Sequence, residues 1–459
     1  MAALAVEVND VGLVALRAGA SHPLPASPGL ALLDGGRLLV GAEAAEEAHV
    51  KPRFVHDTYW DPLDTAPAGL PFAEGVSRAD LAHAQLLALR TSAGHETTEA
   101  FLAVPGFWST PSLSLLLSVA RAAGLPVVGL VDAAVAAASL GQEGDSLLHL
   151  DLTRHRAVVT AMTQGDEVTR TGVVPVEGRG WAAFEDVWAG MIAAQFVREA
   201  RFDPRHAGPS EQALHDALPG WLGELCLRSS LPATLRAGGR AHTIELTRAS
   251  LLAAAADLYR GLGEQVKLGK RAGVPATLLL THRSARLPGL ADHLGEIPGV
   301  TIAELHSSAA PSGALLNSDR LRHTEEALPF VTRLPSGLGA RERQAAPANI
   351  RHFPSARGTR ATHVLVDGIA HAIGERGLAL GTAPPAGVRG LVVRGDAVGV
   401  SRHHCTLRTS NGDVAVEDHA GGDTFVNGER VGGRAPLRAG DRLRLGSPGL
   451  ELLLVAVEE

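Results

Sequence analysis

Apolar residues open the chain in two short valine-rich runs, residues 4–8 and 13–16, separated by N-D-V-G, a pattern that predicts a hairpin. A third strand is expected at residues 38–40. After a polar loop containing H-D-T-Y-W-D-P, the spacing predicts a helix over about 77–92, a buried strand at 101–104 and a helix at 113–123 that Gly124 stops. Residues 127–130 read as a strand, 132–140 as an alanine-rich helix, and 147–152 with 157–162 as a second hairpin. The alternation continues through 173–176, 182–196, 251–266, 278–280 and 288–294. Strands alternating with helices imply a largely parallel or mixed sheet flanked by helices, and the two similar halves suggest a duplicated α/β architecture.

From 332 to 360 the periodicity fails. This stretch is rich in Pro, Gly and Ser and carries Arg341, Arg343, Arg351, Arg357 and Arg360 against Glu342, so it reads as a flexible basic linker. Short strands broken by turn signals follow, at 363–366, 377–381, 390–393, 404–408, 414–417 and 442–445, and predict a β-sandwich. The expected organisation is an α/β domain over 1–331, a linker over 332–360 and an all-β domain over 361–459.

The 459 residues, 45% of them hydrophobic and 20% charged, suffice for more than one core. Two cysteines cannot form a secreted-type disulfide framework, which makes a reducing, cytoplasmic setting the expectation. The N-terminus lacks the basic start of a signal peptide, and no apolar stretch approaches the length of a membrane span. A net charge of -7 gives no general reason to bind nucleic acid, and the arginine-rich linker has only Phe353 as an interleaved aromatic. Neither a membrane nor a nucleic-acid partner is expected.

In the α/β part, F-L-A-V-P-G-F-W-S-T is followed by A-R-A-A-G-L-P-V-V-G-L-V-D-A-A-V-A-A-A-S-L-G. Together with residues 40–52, L-D-L at 150–152 and S-A-R-L-P at 284–288, these segments resemble, in order, the seventy-kilodalton heat-shock chaperones and their actin-like relatives. The resemblance covers roughly residues 1–325 and implies an actin-like, duplicated ribonuclease H-like fold. Members of that family use two Gly/Thr hairpins to bring backbone N–H groups onto the phosphates, with acidic groups for magnesium and water. Here Glu7 replaces the family aspartate, and Asn9, Asp10 and Val11 stand where glycine and threonines belong. The second hairpin keeps Asp151 but replaces the glycine run with Thr153, Arg154 and His155. Ala45 aligns with the family lysine, His282 and Arg283 with the glycine pair that admits adenosine, and Asp132 with the catalytic glutamate.

Glu7, Asp10, Ala45, Asp132, Asp151, His282 and Arg283 are therefore read as a vestigial nucleotide cleft. Asp151 and Asp132 also read simply as strand-end and helix-cap residues. A second reading of the cleft is that Arg154, His155, Arg156, His282 and Arg283 line it with positive charge for another anion. A single G-x-G-x-x-A, at Gly178, Gly180 and Ala183, lies outside an N-terminal βαβ unit. There is no G-x-S-x-G, H-E-x-x-H or paired C-x-x-C, so no catalytic residue, metal ligand or cofactor is assigned. ATP with magnesium enters only under the alternative below.

In the C-terminal part, Ser401, Arg402 and His404 match S-R-x-H; Thr424, Phe425, Val426, Asn427 and Gly428 match T-F-V-N-G; and Gly440, Asp441 and Gly446 match a closing G-D-x-x-x-x-G. These motifs resemble the forkhead-associated (FHA) domain, a β-sandwich that reads phosphothreonine peptides. The resemblance implies structural roles for Gly381, His404, Asn427 and Gly428. It makes Ser401, Arg402, Thr424, Arg394 and Thr382 the phosphopeptide-binding candidates. Thr382 stands for the family arginine, Ala420 for a serine, Gly422 for an asparagine and Asp423 for a glycine, which leaves phosphate-dependent and phosphate-independent protein binding both open. The expectation is a non-catalytic scaffold or adaptor, with a chaperone-like ATPase that retains nucleotide through an altered cleft as the alternative.

Overall fold

The computed structural model describes residues 2–72, 75–94, 96–142, 144–323, 328–337, 361–366, 369–374, 377–385, 389–392, 400–410, 413–419, 423–426, 429–438, 441–446 and 450–455. The chain divides into two compact units, Met1–Ala346 and Pro347–Glu459.

The first unit is α/β. Its five-stranded sheet runs, in spatial order, Phe330–Val331, Val127–Asp132, Thr97–Val104, Ala2–Glu7 and Val14–Arg17. A six-stranded sheet runs Val300–Glu304, Ala276–Leu280, Ser146–Leu152, Arg156–Gln164, Glu167–Glu177 and Arg333–Pro335. One arrangement recurs in both. Ala2–Glu7 is antiparallel to Val14–Arg17 and parallel to Thr97–Val104, which is parallel to Val127–Asp132. Likewise Ser146–Leu152 is antiparallel to Arg156–Gln164 and parallel to Ala276–Leu280, which is parallel to Val300–Glu304. In each half the last parallel pair is joined through a helix, Thr110–Ala122 in one and Leu290–Gly295 in the other, because parallel neighbours cannot be linked by a tight turn.

The expected helices and hairpins lie close to where the apolar pattern puts them. Ser77 caps Arg78–Ala93 through a reciprocal capping box with Asp80, and Asp132 caps Ala133–Ala138 by accepting from the N–H groups of Ala134 and Val135. That alanine helix and Ala309–Leu316 form a core with Phe101 and Val131 of one sheet and Leu147 and Leu279 of the other. Small side chains allow this: a Cβ on Gly313 would lie 1.7 Å from the Ala136 carbonyl oxygen.

Four features depart from the sequence pattern. The strand at Arg37–Val40 joins not the main sheet but a separate three-stranded one with Ala31–Asp34 and Val55–His56. The helix expected over 251–266 is two, Arg248–Ala254 and Ala256–Gly269. The helix Gly208–Leu227 and the hairpin Ser230–Ala237/Arg240–Thr247 were not expected, since Pro219 and Pro232 interrupt the patterns that would reveal them. Finally, Arg333–Pro335 pairs with Glu167–Thr169, and Ser336 is buried, so the α/β unit extends into the segment read as linker. Residues 338–360 lie outside the described residues.

The second unit is all-β. One sheet has the order Ile369–Ala372, His363–Val366, Leu450–Val455, Arg442–Leu445, Thr424–Val426, Glu429–Arg430; the other runs Gly390–Val392, Leu378–Gly381, Cys405–Ser410, Asp413–Asp418, Arg434–Leu437. Leu380, Leu407, Val416, Leu443 and Leu454 form its core. Among the described residues, no helix is long and apolar enough to cross a membrane.

Candidate functional site

The loops that close the two hairpins of the α/β unit, after Glu7 and after Leu152, meet one another. Asn9 Nδ2 donates to Asp151 Oδ2 at 2.9 Å and to the Leu152 carbonyl at 3.1 Å, and the Arg154 backbone N–H donates to Asp10 Oδ1 at 2.6 Å. Arg283, on the short helix His282–Ala285, reaches between the two first strands. Its Nε donates to Asp151 Oδ1 at 3.1 Å and its Nη2 to Asp151 Oδ2 at 3.2 Å; the same Nη2 bonds Glu7 Oε1. Thr281 Oγ1 adds a bond to Asp151 Oδ1 at 2.7 Å. All three charged side chains are at least 92% removed from solvent.

Electrostatics follow from this burial. For Asp151 the desolvation penalty is outweighed by the Arg283 charge, by His149 and by the hydrogen bonds from Arg283 and Thr281, so its carboxyl is held below the usual range. Burial instead pushes Glu7 up to about 7, against the pull of Arg283 and with repulsion from Asp151. Asp10 is pushed up to about 6 by burial, opposed by the Arg154 N–H bond. The guanidinium thus occupies, between two carboxylates, the role that a cation would need to fill.

The remaining residues expected in the cleft divide: Ala45 shares a cleft with the hairpin loops, and Asp132 is taken up by another pairing. Asp132 is fully buried and accepts from Arg170 Nη1 at 2.6 Å, an ion pair that the sequence did not suggest. Arg170 also donates to the Gly106 carbonyl at 3.0 Å. Ala45 lines a cleft of about 600 Å³ together with Val11 and Arg154 of the two hairpin loops, and with Leu30, His49, Trp181, His215 and Arg286. By contrast, the cavities lined by Glu7 and His282 and by Asn9 and Asp10 measure about 10 Å³ each, room for roughly one water.

The reading of Arg154, His155, Arg156, His282 and Arg283 as an anion-binding lining is not borne out. Arg154 pairs with Asp57 at 2.9 Å and Glu185 at 3.5 Å, and Arg156 with Asp61 at 2.6 Å and Glu177 at 2.8 Å. His155 faces Asp57 at 3.6 Å, and burial with the neighbouring Arg283 charge lowers His282 to about 4, so it is neutral. Each arginine is already committed to carboxylates, which cancels the field an anion would feel.

In the β unit, His404 is buried at the start of Cys405–Ser410. Its Nδ1 accepts from the Ser401 N–H at 3.1 Å, so Nε2 carries the proton and donates to the Asp423 carbonyl at 3.1 Å. His404 therefore ties the 401–404 loop to Asp423, which precedes the strand Thr424–Val426. Gly381 is needed for close approach, since a Cβ there would lie 2.3 Å from the Arg402 carbonyl oxygen. Thr382 N–H donates to the Ser401 carbonyl at 3.1 Å and Ala383 N–H to that of Arg402 at 2.9 Å. These bonds bring Thr382, Ser401 and Arg402 together, all three exposed. Thr424 is a correction: it is fully buried and its hydroxyl donates to Asp418 at 2.5 Å, so it braces the sheet and cannot meet a ligand. Arg394, Asn427 and Gly428 lie outside the described residues.

The family model of the FHA domain matches residues 390–446, within the β unit. FHA domains are protein-interaction modules, and many of them bind phosphothreonine. No curated protein matches the chain.

Proposed function

We propose that the protein is a non-catalytic adaptor, in which an actin-like α/β unit has exchanged nucleotide chemistry for internal ion pairs and an FHA domain captures a protein partner. Arg283 carries this reading. A guanidinium buried between Glu7 and Asp151 neutralises the carboxylates that magnesium and its phosphates would require, and Asn9 and Arg154 tie together the loops that would have to cradle them. The repeated hairpin-and-parallel-strand arrangement of the two sheets supports the actin-like, duplicated fold. A cytoplasmic setting is part of the proposal, on the strength of two unpaired cysteines.

The partner-binding edge is assigned to Thr382, Ser401 and Arg402. One cation flanked by two hydroxyls, all exposed on adjoining loops, suits a phosphate on the partner. The alternative, a chaperone-like ATPase, has one observation in its favour: the cleft of about 600 Å³ at Ala45 is large enough for a nucleoside.

Isothermal titration of the full chain with magnesium-ATP decides between the two classes. No heat and no turnover at millimolar nucleotide are expected; micromolar binding or hydrolysis lost in Asp151→Asn would establish the alternative. For the recognition edge, pull-down from lysate with and without phosphatase treatment is the measure. Partners lost on dephosphorylation, and weakened by about 2 kcal/mol in Arg402→Ala, are the expected result. An unchanged set of partners would leave a phosphate-independent binding domain.

A further inference from the structure

The cleft beside Ala45 borders a group of side chains that the adaptor function does not use. His49 lies in the turns after Ala42–Ala45, while Glu211 and His215 project from the helix Gly208–Leu227. Each offers one ligand atom, and the three atoms lie within 4.8 Å of one another. We propose that His49, Glu211 and His215 form a binding site for one divalent transition-metal ion of the zinc class at the rim of this cleft.

The donor set is the first argument: two imidazoles and one carboxylate suit zinc over the hard cations that take oxygen alone. Placement is the second. Glu211 and His215 are spaced i, i+4, which stacks them on one helix face. His49 arrives from far away in sequence and is held by its backbone, whose N–H donates to Gln212 Oε1 at 2.9 Å. Gln212 Nε2 in turn donates to the Ala45 carbonyl at 2.9 Å and to Asp216 Oδ1 at 2.8 Å, so one side chain staples the 45–49 segment to the helix. Gly208 permits the contact, since a Cβ there would stand 3.0 Å from Val50 Cα.

The two imidazoles already lie against one another, stacked with centroids 3.5 Å apart and an interplanar angle of 11°. Two parallel rings cannot both point their lone pairs at one ion, so binding requires one imidazole to turn. Bonds of about 2.0–2.1 Å then place the two nitrogens roughly 3.3 Å apart, close to the present ring spacing. Arg205 Nε contacts Glu211 Oε1 at 3.3 Å and competes for that oxygen, and Arg154 and Arg286 also line the cleft, whereas Asp216 beside His215 favours a cation. Three protein ligands leave a fourth coordination position for water or a ligand.

The test is zinc chloride titrated into the chelator-treated full chain, followed by calorimetry and thermal unfolding, with cobalt(II) absorption as a second probe. One ion per chain is expected, with a higher Tm in zinc and the intense visible bands of four-coordinate cobalt. His49→Ala and His215→Ala should each weaken binding by more than about 100-fold, and Glu211→Gln by about tenfold or more. No binding at about 100 μM zinc, an octahedral cobalt spectrum in the wild-type chain, or binding that survives both histidine substitutions would each overturn the proposal. The wild-type cobalt spectrum decides even if a variant fails to fold, and the outcome is independent of whether the chain binds ATP.

Discussion

At the scale of single residues, the decisive one is Arg283. Buried charge is tolerated only when paired, and here one guanidinium serves two carboxylates. Removing it strands Glu7 and Asp151 together, so Arg283→Met should lose about 3–5 kcal/mol of stability in urea unfolding. The two carboxylates should respond to pH in opposite directions. Glu7, raised from 4.5 to about 7, holds its proton more tightly folded than unfolded, so its contribution to stability falls as pH rises from about 4.5 through about 7. Asp151, held below its ordinary value, contributes stability above about pH 4 that is lost as pH falls. Glu7→Gln should therefore cost more at pH 5 than at pH 8, and at pH 8 Asp151→Asn should cost more than Glu7→Gln. Equal costs for both variants at both pH values would mean that the pair shares its charge evenly. The acidic identity of Glu7 and Asp151 was legible in the chain. The chaperone resemblance grouped Arg283 with them, but that its guanidinium bonds both carboxylates was not legible, because 276 positions separate it from Glu7.

At the scale of elements, periodicity and caps carried most of the reading. Ser77 and Asp132 stand before apolar runs and do cap the helices there. Helix-on-helix packing was a different matter: the alanine run at 133–138 shows a small-residue surface without saying what lies on it. The partner is Ala309–Leu316, whose Gly313 meets the Ala136 carbonyl, with Asn317 Nδ2 donating to Ser139 Oγ at 3.0 Å beside it. Gly313→Ala must therefore push two helices apart, and a loss of about 1–3 kcal/mol is expected by thermal unfolding, because the overpacking outweighs the helix-propensity gain of about 1 kcal/mol. A neutral outcome would mean that the helix pair slides freely. In the β unit, the S-R-x-H pattern singled out His404, whose ring bonds the Ser401 N–H and the Asp423 carbonyl. The same pattern reading misplaced Thr424, because a hydroxyl in a strand of alternating exposure faces in or out according to register, and register is set by the neighbours Arg442–Leu445 and Glu429–Arg430.

At the scale of the whole molecule, the chain is two units whose boundary falls between Ala346 and Pro347. Trypsin should cut first within the arginine-bearing stretch 341–360, which has no apolar face to bury, and should leave fragments of about 340 and about 100 residues that resist further digestion. First cleavage inside 333–337 would contradict the pairing of Arg333–Pro335 with the sheet. The sequence by itself determined the α/β character of the front, the β-sandwich behind it, most strand and helix positions and the FHA motifs, because local periodicity, caps and turn residues act over a few positions. Only the tertiary structure decided which side chains meet: Arg283 with Glu7 and Asp151, Arg170 with Asp132, and His49 with Glu211 and His215. Those pairings join residues tens to hundreds of positions apart, and no local propensity encodes them. They exist because packing sheets and helices into one core removes these charges and rings from water and obliges each to find a partner.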